Sequence, residues 1–410
     1  MQYINRAITS VLIKRLAQSK CVLVTGARQV GKSTLLNHEL PNYTSVTFDN
    51  REERRLARED PGIFFLNNKP PIIIDEVQKE SEILEDIKLI IDKSERNGNF
   101  VLSGSQSLEI MKGTSESLAG RVSLLKLSGL SMREIYNIDF NKRFLPCETY
   151  LKYREDFIKN CDELWSFIFM GGYPELYSSN REWEDFFTSY VNTYIERDIN
   201  ELIASDSVTF MKFMCAIASR TGELLNYASL SRAIGVSVPT IKTWISLLER
   251  TGIINLIQPY CSNMLKRAIK SPKIYFQDTG LACYLAGWNT QKAVSNSAVA
   301  GSMFETFVVN EIIKSYINEG IDYKRRIFYY RGKDKNIYYD NEIDLIIEEN
   351  GTLYPIEIKM TSKPTAKMAS ANEILRKIDN KKIARGTILC LCDKMRFLSD
   401  SVLALPVSYI

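Results

Sequence analysis

The sequence is poor in the residues on which several kinds of active site depend. His38 is the only histidine in the 410 residues. The composition therefore argues against a zinc site with histidine ligands and against a hydrolase that uses a histidine base. The eight cysteines are scattered, with no CxxC pair and no short-range framework of the secreted type. These absences favour a reduced, intracellular setting.

Long apolar runs and a strong charge imbalance are absent as well. No stretch reaches the roughly 18 apolar residues that a membrane helix needs, and Arg6 and Lys14 lie where a signal peptide would need an apolar core. We therefore expect a cytoplasmic protein without a membrane partner. Because Lys and Arg number 53 against 49 Asp and Glu, a nucleic-acid surface would require local clustering of basic residues.

The first distinctive feature that is present is a phosphate-binding pattern. An apolar run, Ser19 to Thr25, leads directly into Gly26 to Ser33, which matches GxxxxGK[ST] at every fixed position. The glycines allow the backbone N–H groups to curl around phosphate oxygens, Lys32 reaches the β- and γ-phosphates, and Ser33 offers its hydroxyl to Mg²⁺. The alternative is a glycine turn before a helix. The residues expected to contact ATP are Gly26, Ala27, Arg28, Gln29, Val30, Gly31, Lys32, Ser33 and Thr34.

Two further apolar strands supply polar side chains to the same predicted site. Asp75 and Glu76 end the run Pro70 to Gln78, where open α/β sheets place ligands. Asp75 can hold Mg²⁺ and Glu76 can act as the general base toward the attacking water, although two solvated acids at a strand end remain the alternative. Ser103, in the third strand, or Ser105 beyond it, could place a hydroxyl beside the γ-phosphate or the attacking water. The alternative is an ordinary strand-ending turn.

These motifs together resemble the AAA+ ATPases, specifically a bacterial and archaeal group of uncharacterised ATPases. The resemblance rests on GARQVGKSTLL, IIIDEVQ, VLSGSQ and LAGRV, and continues through GGYPE, YIERDI and KIYFQDTGL. It implies an α/β ATPase core with a parallel sheet, a helical and winged-helix middle, and a nuclease-like C-terminal domain. It also implies that Arg121 of LAGRV senses or stabilises the γ-phosphate, in its own subunit or in a neighbour within a homo-oligomer; an ordinary surface arginine is the alternative.

The length predicts two or three domains, and we place the boundaries by motif. Residues 1–140 would form the P-loop ATPase domain, 141–205 a helical lid or linker, 206–290 a winged helix-turn-helix domain, and 291–410 a restriction-endonuclease-like domain.

The segment from Glu163 to Ser205 has a helical pattern. Its aromatic residues repeat at three and four and are expected in the core: Trp183, Phe186, Phe187, Tyr190 and Tyr194. Glu196, Arg197 and Asp198 could reach the nucleotide or a partner, or form local ion pairs on an exposed helix.

The next segment has the order of a winged helix. A short helix ending at Gly235, a turn, a second helix from about Pro239 to Arg250, and then Gly252 with a β-like run match that motif. In a DNA-binding version the residues meeting the duplex would be Ser237, Thr240, Lys242 and Thr243. Alternatively, the module only packs between its neighbours, because few of its recognition-helix residues are basic.

The C-terminal region contains a predicted helix with Glu305 near its start, then two strands joined by a turn at Asn350-Gly351. Strand alternation places Glu342 with Asp344 on one face, and Glu357 with Lys359 on one face. A plain cross-face ion pair would also explain these residues. A basic, aromatic stretch, residues 324–335, would suit a phosphate backbone or a solvated strand.

Asp344, Glu357-Ile358-Lys359 and the leading Glu305 resemble the PD-(D/E)XK arrangement, although Glu-Ile-Asp stands where many relatives have Pro-Asp. The resemblance implies that Asp344 and Glu357, completed by Glu305, hold Mg²⁺, and that Lys359 lies beside the attacking water.

The combined expectation is a Mg²⁺-dependent ATPase whose nucleotide state controls a module acting on nucleic acid, most simply DNA. A competing hypothesis is an ATP-dependent signalling or scaffold switch whose rear domains are non-catalytic and bind a protein partner.

Overall fold

The computed structural model describes residues 3–104, 118, 120–159, 163–193, 207–261, 271–332, 341–371, 375 and 381–410. The predicted trio Glu196, Arg197 and Asp198 lies outside these residues, as do Tyr194 and the alternative hydroxyl of Ser105.

The N-terminal part contains a five-stranded parallel sheet in the order β2-β3-β4-β1-β5. Its strands are β1 (Cys21–Thr25), β2 (Thr44–Thr47), β3 (Ile72–Asp75), β4 (Phe100–Gly104) and β5 (Val122–Lys126). The three isoleucines of β3 are buried, as expected for a central strand covered on both faces. The predicted parallel α/β sheet is therefore confirmed. The accompanying helices are α1 (Thr9–Gln18), α2 (Lys32–Glu39), α3 (Arg51–Glu59), α4 (Pro61–Asn67), α5 (Ile83–Lys93) and α6 (Met132–Ile135), with a 3₁₀ turn at Val77–Glu80.

Short polar signals begin several of these helices. Asn50 caps α3, and Asp60 caps α4 ahead of Pro61 at its first position. Ser131 and Glu134 form a reciprocal capping box at α6. Each cap satisfies backbone N–H groups that have no partner inside the helix.

The aromatic stripe predicted after Glu163 lies in the core where it is described. The helices here are α7 (Glu148–Glu155), α8 (Leu164–Met170), α9 (Glu175–Ser178) and α10 (Trp183–Tyr190). Phe186, Phe187 and Tyr190 are fully buried, and Trp183 stacks on Phe169. The prediction of core packing is confirmed for these residues.

Three helices and a two-stranded sheet follow among the described residues: α11 (Ser207–Ala218), α12 (Tyr227–Ile234), α13 (Val238–Arg250), β6 (Ile254–Ile257) and β7 (Lys273–Phe276). Gly235 ends α12 with a left-handed φ of 82°, and Ser237 caps α13 ahead of Pro239. The buried Trp244 packs against Phe210 and Phe213. These observations confirm the predicted helix boundaries.

The C-terminal part places a long helix against a mixed seven-stranded sheet in which β11 pairs with β10 and the other strands follow the order β13-β14-β12-β10-β9-β8. Asn350 and Gly351 have φ of 48° and 73° and join β9 to β10, which confirms the predicted hairpin turn. The helices are α14 (Thr279–Leu285), α15 (Gln291–Ser295) and α16 (Ala300–Asn318). The strands are β8 (Ile327–Gly332), β9 (Asn341–Glu349), β10 (Thr352–Lys359), β11 (Lys382–Ile383), β12 (Gly386–Cys390), β13 (Arg396–Ser399) and β14 (Val402–Pro406), with 3₁₀ turns at Tyr323–Arg325, Ala366–Ala369 and Val407–Tyr409.

Helix α16 connects the parts of the molecule. Its Glu311 accepts a hydrogen bond from Met132 N at 2.8 Å, and its Lys314 donates to Leu130 O at 2.7 Å. One hydrophobic cluster among the described residues contains side chains from the P-loop region, from the middle helices and from the C-terminal sheet. The parts therefore share apolar packing. None of the described helices is long and apolar enough to span a membrane.

Candidate functional site

The P-loop lies between β1 and α2, and steric constraints explain both of its fixed glycines. A Cβ atom on Gly26 would lie 2.2 Å from the carbonyl oxygen of Leu127, so no side chain fits there. Gly31 has a φ of 90° and immediately precedes α2, a left-handed conformation that glycine adopts without steric cost. The loop therefore turns the start of α2 toward the carboxyl edge of the sheet, where phosphate groups bind in α/β folds.

Lys32, at the start of α2, is held inside the loop. Its Nζ atom donates hydrogen bonds to Gly26 O at 3.1 Å and to Ala27 O at 2.9 Å. Burial lowers the pKa of Lys32 to about 8, against the opposing effect of the negative charges of Glu76 and Asp75. The ammonium therefore has neutral partners that a phosphate oxygen can replace.

Asp75 joins the P-loop to the ends of two strands. Ser33 Oγ donates a hydrogen bond of 2.6 Å to Asp75 Oδ2, and the hydroxyl of Ser103 donates to the other oxygen, Oδ1. The predicted Mg²⁺ hydroxyl, the predicted Mg²⁺ carboxylate and the third-strand serine therefore meet at one point. A P-loop hydroxyl beside a strand-end Asp is the pair that holds Mg²⁺ in P-loop nucleoside triphosphatases.

Glu76 has an uncommon backbone conformation. Its φ of 53° is left-handed, which is unusual for a residue with a Cβ atom and is frequent at functional sites. The side-chain amide of Gln78 donates to its carboxylate. This contact orients Glu76, and the sequence reasoning did not anticipate it.

These residues line an open cavity of about 620 Å³. The lining residues that the sequence predicted for the nucleotide site include Arg28, Gln29, Lys32, Ser33, Thr34 and Glu76. Its other walls come from residues that no motif search selected for this site, among them Tyr3, Ile4, Arg6, Pro174 and Glu175. The volume and the mixture of apolar and charged walls suit a nucleotide.

Arg6 binds the P-loop and two segments that lie beside it. Its Nη1 atom donates to Val30 O at 2.8 Å, its Nη2 atom donates to Ser128 O at 2.6 Å, and its Nε atom is 3.0 Å from Glu134 Oε1. No spacing pattern in the sequence selects Arg6 or Glu134, because these contacts join positions 24 to 128 residues apart.

Asp278 positions the loop that contains Pro174 and Glu175. Its Oδ2 atom accepts a hydrogen bond from Gly172 N at 2.7 Å, and its Oδ1 atom accepts from Leu281 N at 2.8 Å to cap α14. Gly171 has a φ of 78°, and a Cβ atom there would lie 2.3 Å from Asp278 Oδ1. The GGYPE and QDTG motifs are therefore parts of one contact beside the nucleotide cavity.

Arg121 is not brought to this cavity. Val122 pairs with Cys21 at the start of β1, whereas the P-loop follows Thr25 at its end, so about 13 Å of strand separates Arg121 from the loop. Arg121 Nε is instead 2.5 Å from Asp92 Oδ1 on α5. The expectation that Arg121 could serve the γ-phosphate of its own subunit is wrong for this arrangement, because it lies at the amino edge of the sheet. Its role in a neighbouring subunit stays a prediction.

The predicted residues of the C-terminal region do come together. Lys359 Nζ is 2.9 Å from Asp344 Oδ2 and 2.9 Å from Glu357 Oε2. Asp344 Oδ2 also accepts a hydrogen bond from Ile358 N at 2.8 Å. Glu305, on α16, contacts the same group through Lys273. We call Glu305, Glu342, Asp344, Glu357, Lys273 and Lys359 the carboxylate cluster.

Lys273 is the member that the sequence reasoning missed. Its Nζ atom lies 2.6 Å from Glu342 Oε1, 3.1 Å from Glu305 Oε1 and 3.8 Å from Asp344 Oδ1, and its side chain is only 4% exposed. Tyr275, on the same strand, donates a hydrogen bond of 2.7 Å to Glu305 Oε1. Lys273 belongs to the quoted KIYFQDTGL motif, but its position in that motif gives no sign of these partners.

Burial governs the electrostatics of the carboxylate cluster. Burial, reinforced by the charge of Asp344, raises the pKa of Glu357 to about 8. Burial also raises the pKa of Glu305. Among the described residues, no set of three or more His, Cys, Asp or Glu side chains is arranged to hold a metal ion. The oxygen ligands are of the type that Mg²⁺ binds, but in this arrangement the ammonium of Lys273 lies among them.

The residues of the predicted nucleic-acid surfaces differ in exposure and in their contacts. Ser237, Lys242 and Thr243 are exposed and Thr240 is partly exposed. The hydroxyls of Ser237 and Thr243 are engaged within α13. In the basic stretch, Lys324 pairs with Glu249 at 2.7 Å and Arg326 pairs with Glu349 at 2.6 Å. Each of these two charges therefore has a carboxylate partner within the protein. Residues 333–335 of the stretch lie outside the described residues.

Comparison with known families finds a match for the N-terminal part. Residues 18–136 match a family model described as an AAA domain. They therefore resemble a P-loop AAA domain, and we refer to them below as the AAA domain. The match covers the parallel sheet, the P-loop and Asp75, so it includes the converging residues described above. Residues 161–292 and 300–410 match two other models, each described as a domain of unknown function (DUF8612 and DUF4143).

Whole-chain similarities are more distant. The uncharacterized proteins Mb2031c of Mycobacterium bovis and Rv2008c of Mycobacterium tuberculosis are each 28% identical over 415 residues, covering 99% of this chain and 84% of theirs. The solved structure of the Walker-type ATPase PABY2304 of Pyrococcus abyssi is similar over 69% of this chain and 96% of that chain, with 15% identity and a TM-score of 0.40.

Proposed function

We propose that the AAA domain binds ATP with Mg²⁺ and hydrolyses it. The observation that carries this proposal is the hydrogen bond between Ser33 Oγ and Asp75 Oδ2, 2.6 Å long, at the edge of the sheet where the P-loop ends. A bound Mg²⁺ would neutralise charge on the phosphates. Ser33 and Asp75 would hold it, and Lys32 would exchange its carbonyl partners for phosphate oxygens.

Glu76 is the proposed general base. It lines the cavity next to Asp75, and the amide of Gln78 orients its carboxylate. A carboxylate held in this way can accept a proton from a water that attacks the γ-phosphate. Tyr3, Ile4 and Pro174 would form the more apolar wall, against which a base and ribose fit.

Steady-state phosphate release from the full-length protein tests this proposal. Lys32→Ala is expected to lose ATP binding and turnover, whereas Glu76→Gln is expected to keep binding and lose turnover. Lys69→Ala changes an exposed lysine and serves as the matched control. Unchanged turnover in both site variants would refute ATP hydrolysis at this site.

For the rear half we propose a nucleic-acid-handling module controlled by the nucleotide state. The convergence of Glu305, Asp344, Glu357 and Lys359 supports a PD-(D/E)XK-like site, and the order of α12, α13, β6 and β7 supports a winged helix. Incubation of a DNA and RNA panel with Mg²⁺ or Mn²⁺ tests this idea, with and without ATP. Cutting that disappears in Asp344→Ala is the expected result.

The second candidate function is an ATP-dependent switch that binds a protein partner. The internal pairing of Lys324 and Arg326 favours it, because a phosphate would have to displace the carboxylate partner that each charge already has. Binding of the full-length protein to duplex DNA at several salt concentrations separates the two functions. Affinity that falls steeply with salt supports the nucleic-acid module, since counterion release accompanies phosphate contacts; absence of binding supports the switch.

A further inference from the structure

The carboxylate cluster contains a cation supplied by another part of the chain. Glu305 belongs to α16, and Glu342, Asp344, Glu357 and Lys359 belong to β9 and β10 of the C-terminal sheet. Lys273 comes from β7, which pairs with β6 after the middle helices. Its side chain crosses between the two parts and is almost completely buried at the cluster.

The ammonium of Lys273 uses the oxygens that a divalent cation would need. It lies 2.6 Å from Glu342 Oε1 and 3.1 Å from Glu305 Oε1, both hydrogen-bonding distances. A Mg²⁺ ion binds such oxygens at about 2.0–2.1 Å, so an ion shared by these carboxylates would need the space that Nζ fills. Between Glu305 and Glu342, Lys273 and a divalent cation therefore exclude each other.

One unsatisfied atom shows that the hydrogen bonding of the cluster is incomplete. The four carboxyl groups lie beside two ammonium groups, those of Lys273 and Lys359. Glu357 is only 3% exposed, and its Oε1 atom has no hydrogen-bond partner among the described residues. A buried oxygen without a partner is costly unless a ligand completes it.

The cluster also borders open space. A groove of about 670 Å³ is lined by Lys273 and Glu342 on one side and by Arg220, Asn226 and Arg331 on others. Glu342 is the most exposed carboxylate of those that contact Lys273, with 32% of its side chain accessible. A cation or a phosphate group can therefore approach from the side on which Lys273 lies.

We propose that Lys273 is an autoinhibitory cation: it occupies the divalent-metal position of the carboxylate cluster and keeps the metal out until β7 moves. The inference rests on the proposed cation-binding role of the cluster, not on ATP hydrolysis. It assigns the regulation of that site to a single side chain from outside the C-terminal sheet.

Mn²⁺ binding to full-length protein tests the proposal. Free Mn²⁺ is measured by electron paramagnetic resonance without nucleotide, in a Ser33→Ala background that weakens the P-loop metal site. Lys273→Met is expected to bind Mn²⁺ at the cluster roughly tenfold more tightly, or better, than the Lys273 parent. Lys273→Arg keeps the charge and should bind as weakly as the parent. Adding Asp344→Ala to Lys273→Met should remove the gain.

Thermal unfolding supplies a second readout. Removing the ammonium leaves buried carboxylates uncompensated, which destabilises the fold, and Mn²⁺ should raise the Tm of Lys273→Met but not that of the parent. Lys273→Gln, which keeps a hydrogen-bond donor, replaces Lys273→Met if the latter does not fold.

Failure of autoinhibition and failure of the proposed metal role would give different results. Equal Mn²⁺ affinity in parent and variant, with binding that depends on Asp344, would overturn autoinhibition and leave the proposed metal role standing. No binding to either protein would overturn both and make Lys273 a structural ion pair. Tighter binding by Lys273→Met without cutting of any nucleic acid would uphold the inference and refute the nuclease.

Discussion

The hydroxyl of Ser33 donates its hydrogen bond to Asp75 across 42 positions of sequence, at 2.6 Å. Strand β3 and the P-loop are not neighbours in the sheet, since β4 lies between β3 and β1. The contact therefore depends on the strand order and on the P-loop reaching across the carboxyl edge. This contact is the basis of the first prediction, which concerns nucleotide binding.

Loss of either partner should remove the Mg²⁺-dependent part of ATP affinity. For Ser33→Ala and Asp75→Asn we expect ATP affinity in Mg²⁺ to fall roughly 10–100-fold, the usual cost of altering groups that hold a metal. Affinity in EDTA should change little. Calorimetric titration with and without Mg²⁺ measures both values, and Ser33→Thr, which keeps a hydroxyl, is the control. A full Mg²⁺ effect in Ser33→Ala would contradict this assignment.

The pH dependence of ATP binding should report Lys32. Its pKa is lowered to about 8, and only the protonated form attracts phosphate, so affinity should be constant below pH 8. Above that value it should fall by about tenfold per pH unit, as expected when one proton must be bound. Titration with a fluorescent ATP analogue between pH 6.5 and 9.5 follows this curve. Lys32→Arg stays charged and should bind without the decline; a flat wild-type curve would exclude a titrating Lys32.

Asp278 should influence both stability and nucleotide binding. Asp278→Ala removes the acceptor for Gly172 N and the cap of α14, and an unsatisfied amide of this kind costs about 1–3 kcal/mol. Because Pro174 and Glu175 follow directly, ATP affinity should fall too. Urea unfolding and ATP titration measure the two effects. Asp278→Asn keeps one acceptor oxygen and should be milder; normal ATP affinity in the alanine variant would separate this contact from the nucleotide site.

Arg121 should act only on a neighbouring subunit. Its place at the amino edge of the sheet predicts unchanged ATP affinity in Arg121→Ala, because Arg121 does not reach its own P-loop. A mixture of inactive Arg121→Ala and inactive Glu76→Gln proteins should recover part of the turnover, since each can supply what the other lacks. Phosphate release from mixtures of varied ratio measures this recovery. Mixtures that stay inactive would rule out a shared site.

Local patterns predicted the parts of the fold that depend on neighbours in sequence. The P-loop, the buried isoleucines of β3, the end of α12 at Gly235 and the hairpin at Asn350-Gly351 all arise from periodicity or from backbone conformations that few residues adopt. Strand alternation also places Glu357 and Lys359 on one face, which agrees with their 2.9 Å contact.

Contacts between distant segments could not be predicted in the same way. Arg6 meets Ser128 O across 122 positions, and no spacing rule selects one arginine from the 53 basic residues. Lys273 reaches Glu342 from a different sheet. The position of Arg121 depends on the register of β5 with β1, which the hydrophobic pattern of β5 does not reveal.

Strand β7 and the two residues after it connect the carboxylate cluster with the contacts beside the P-loop. At one end Lys273 lies in the carboxylate cluster. At the other end, Gln277 N donates a hydrogen bond to Ile253 O, and Asp278 accepts one from Gly172 N. Ile253 follows Gly252, where an added Cβ atom would lie 3.5 Å from Ala27 of the P-loop. About 13 Å of extended backbone separates these ends. The contacts beside the P-loop and the lysine of the carboxylate cluster therefore belong to one continuous segment of backbone, which is hydrogen-bonded to β6 along β7.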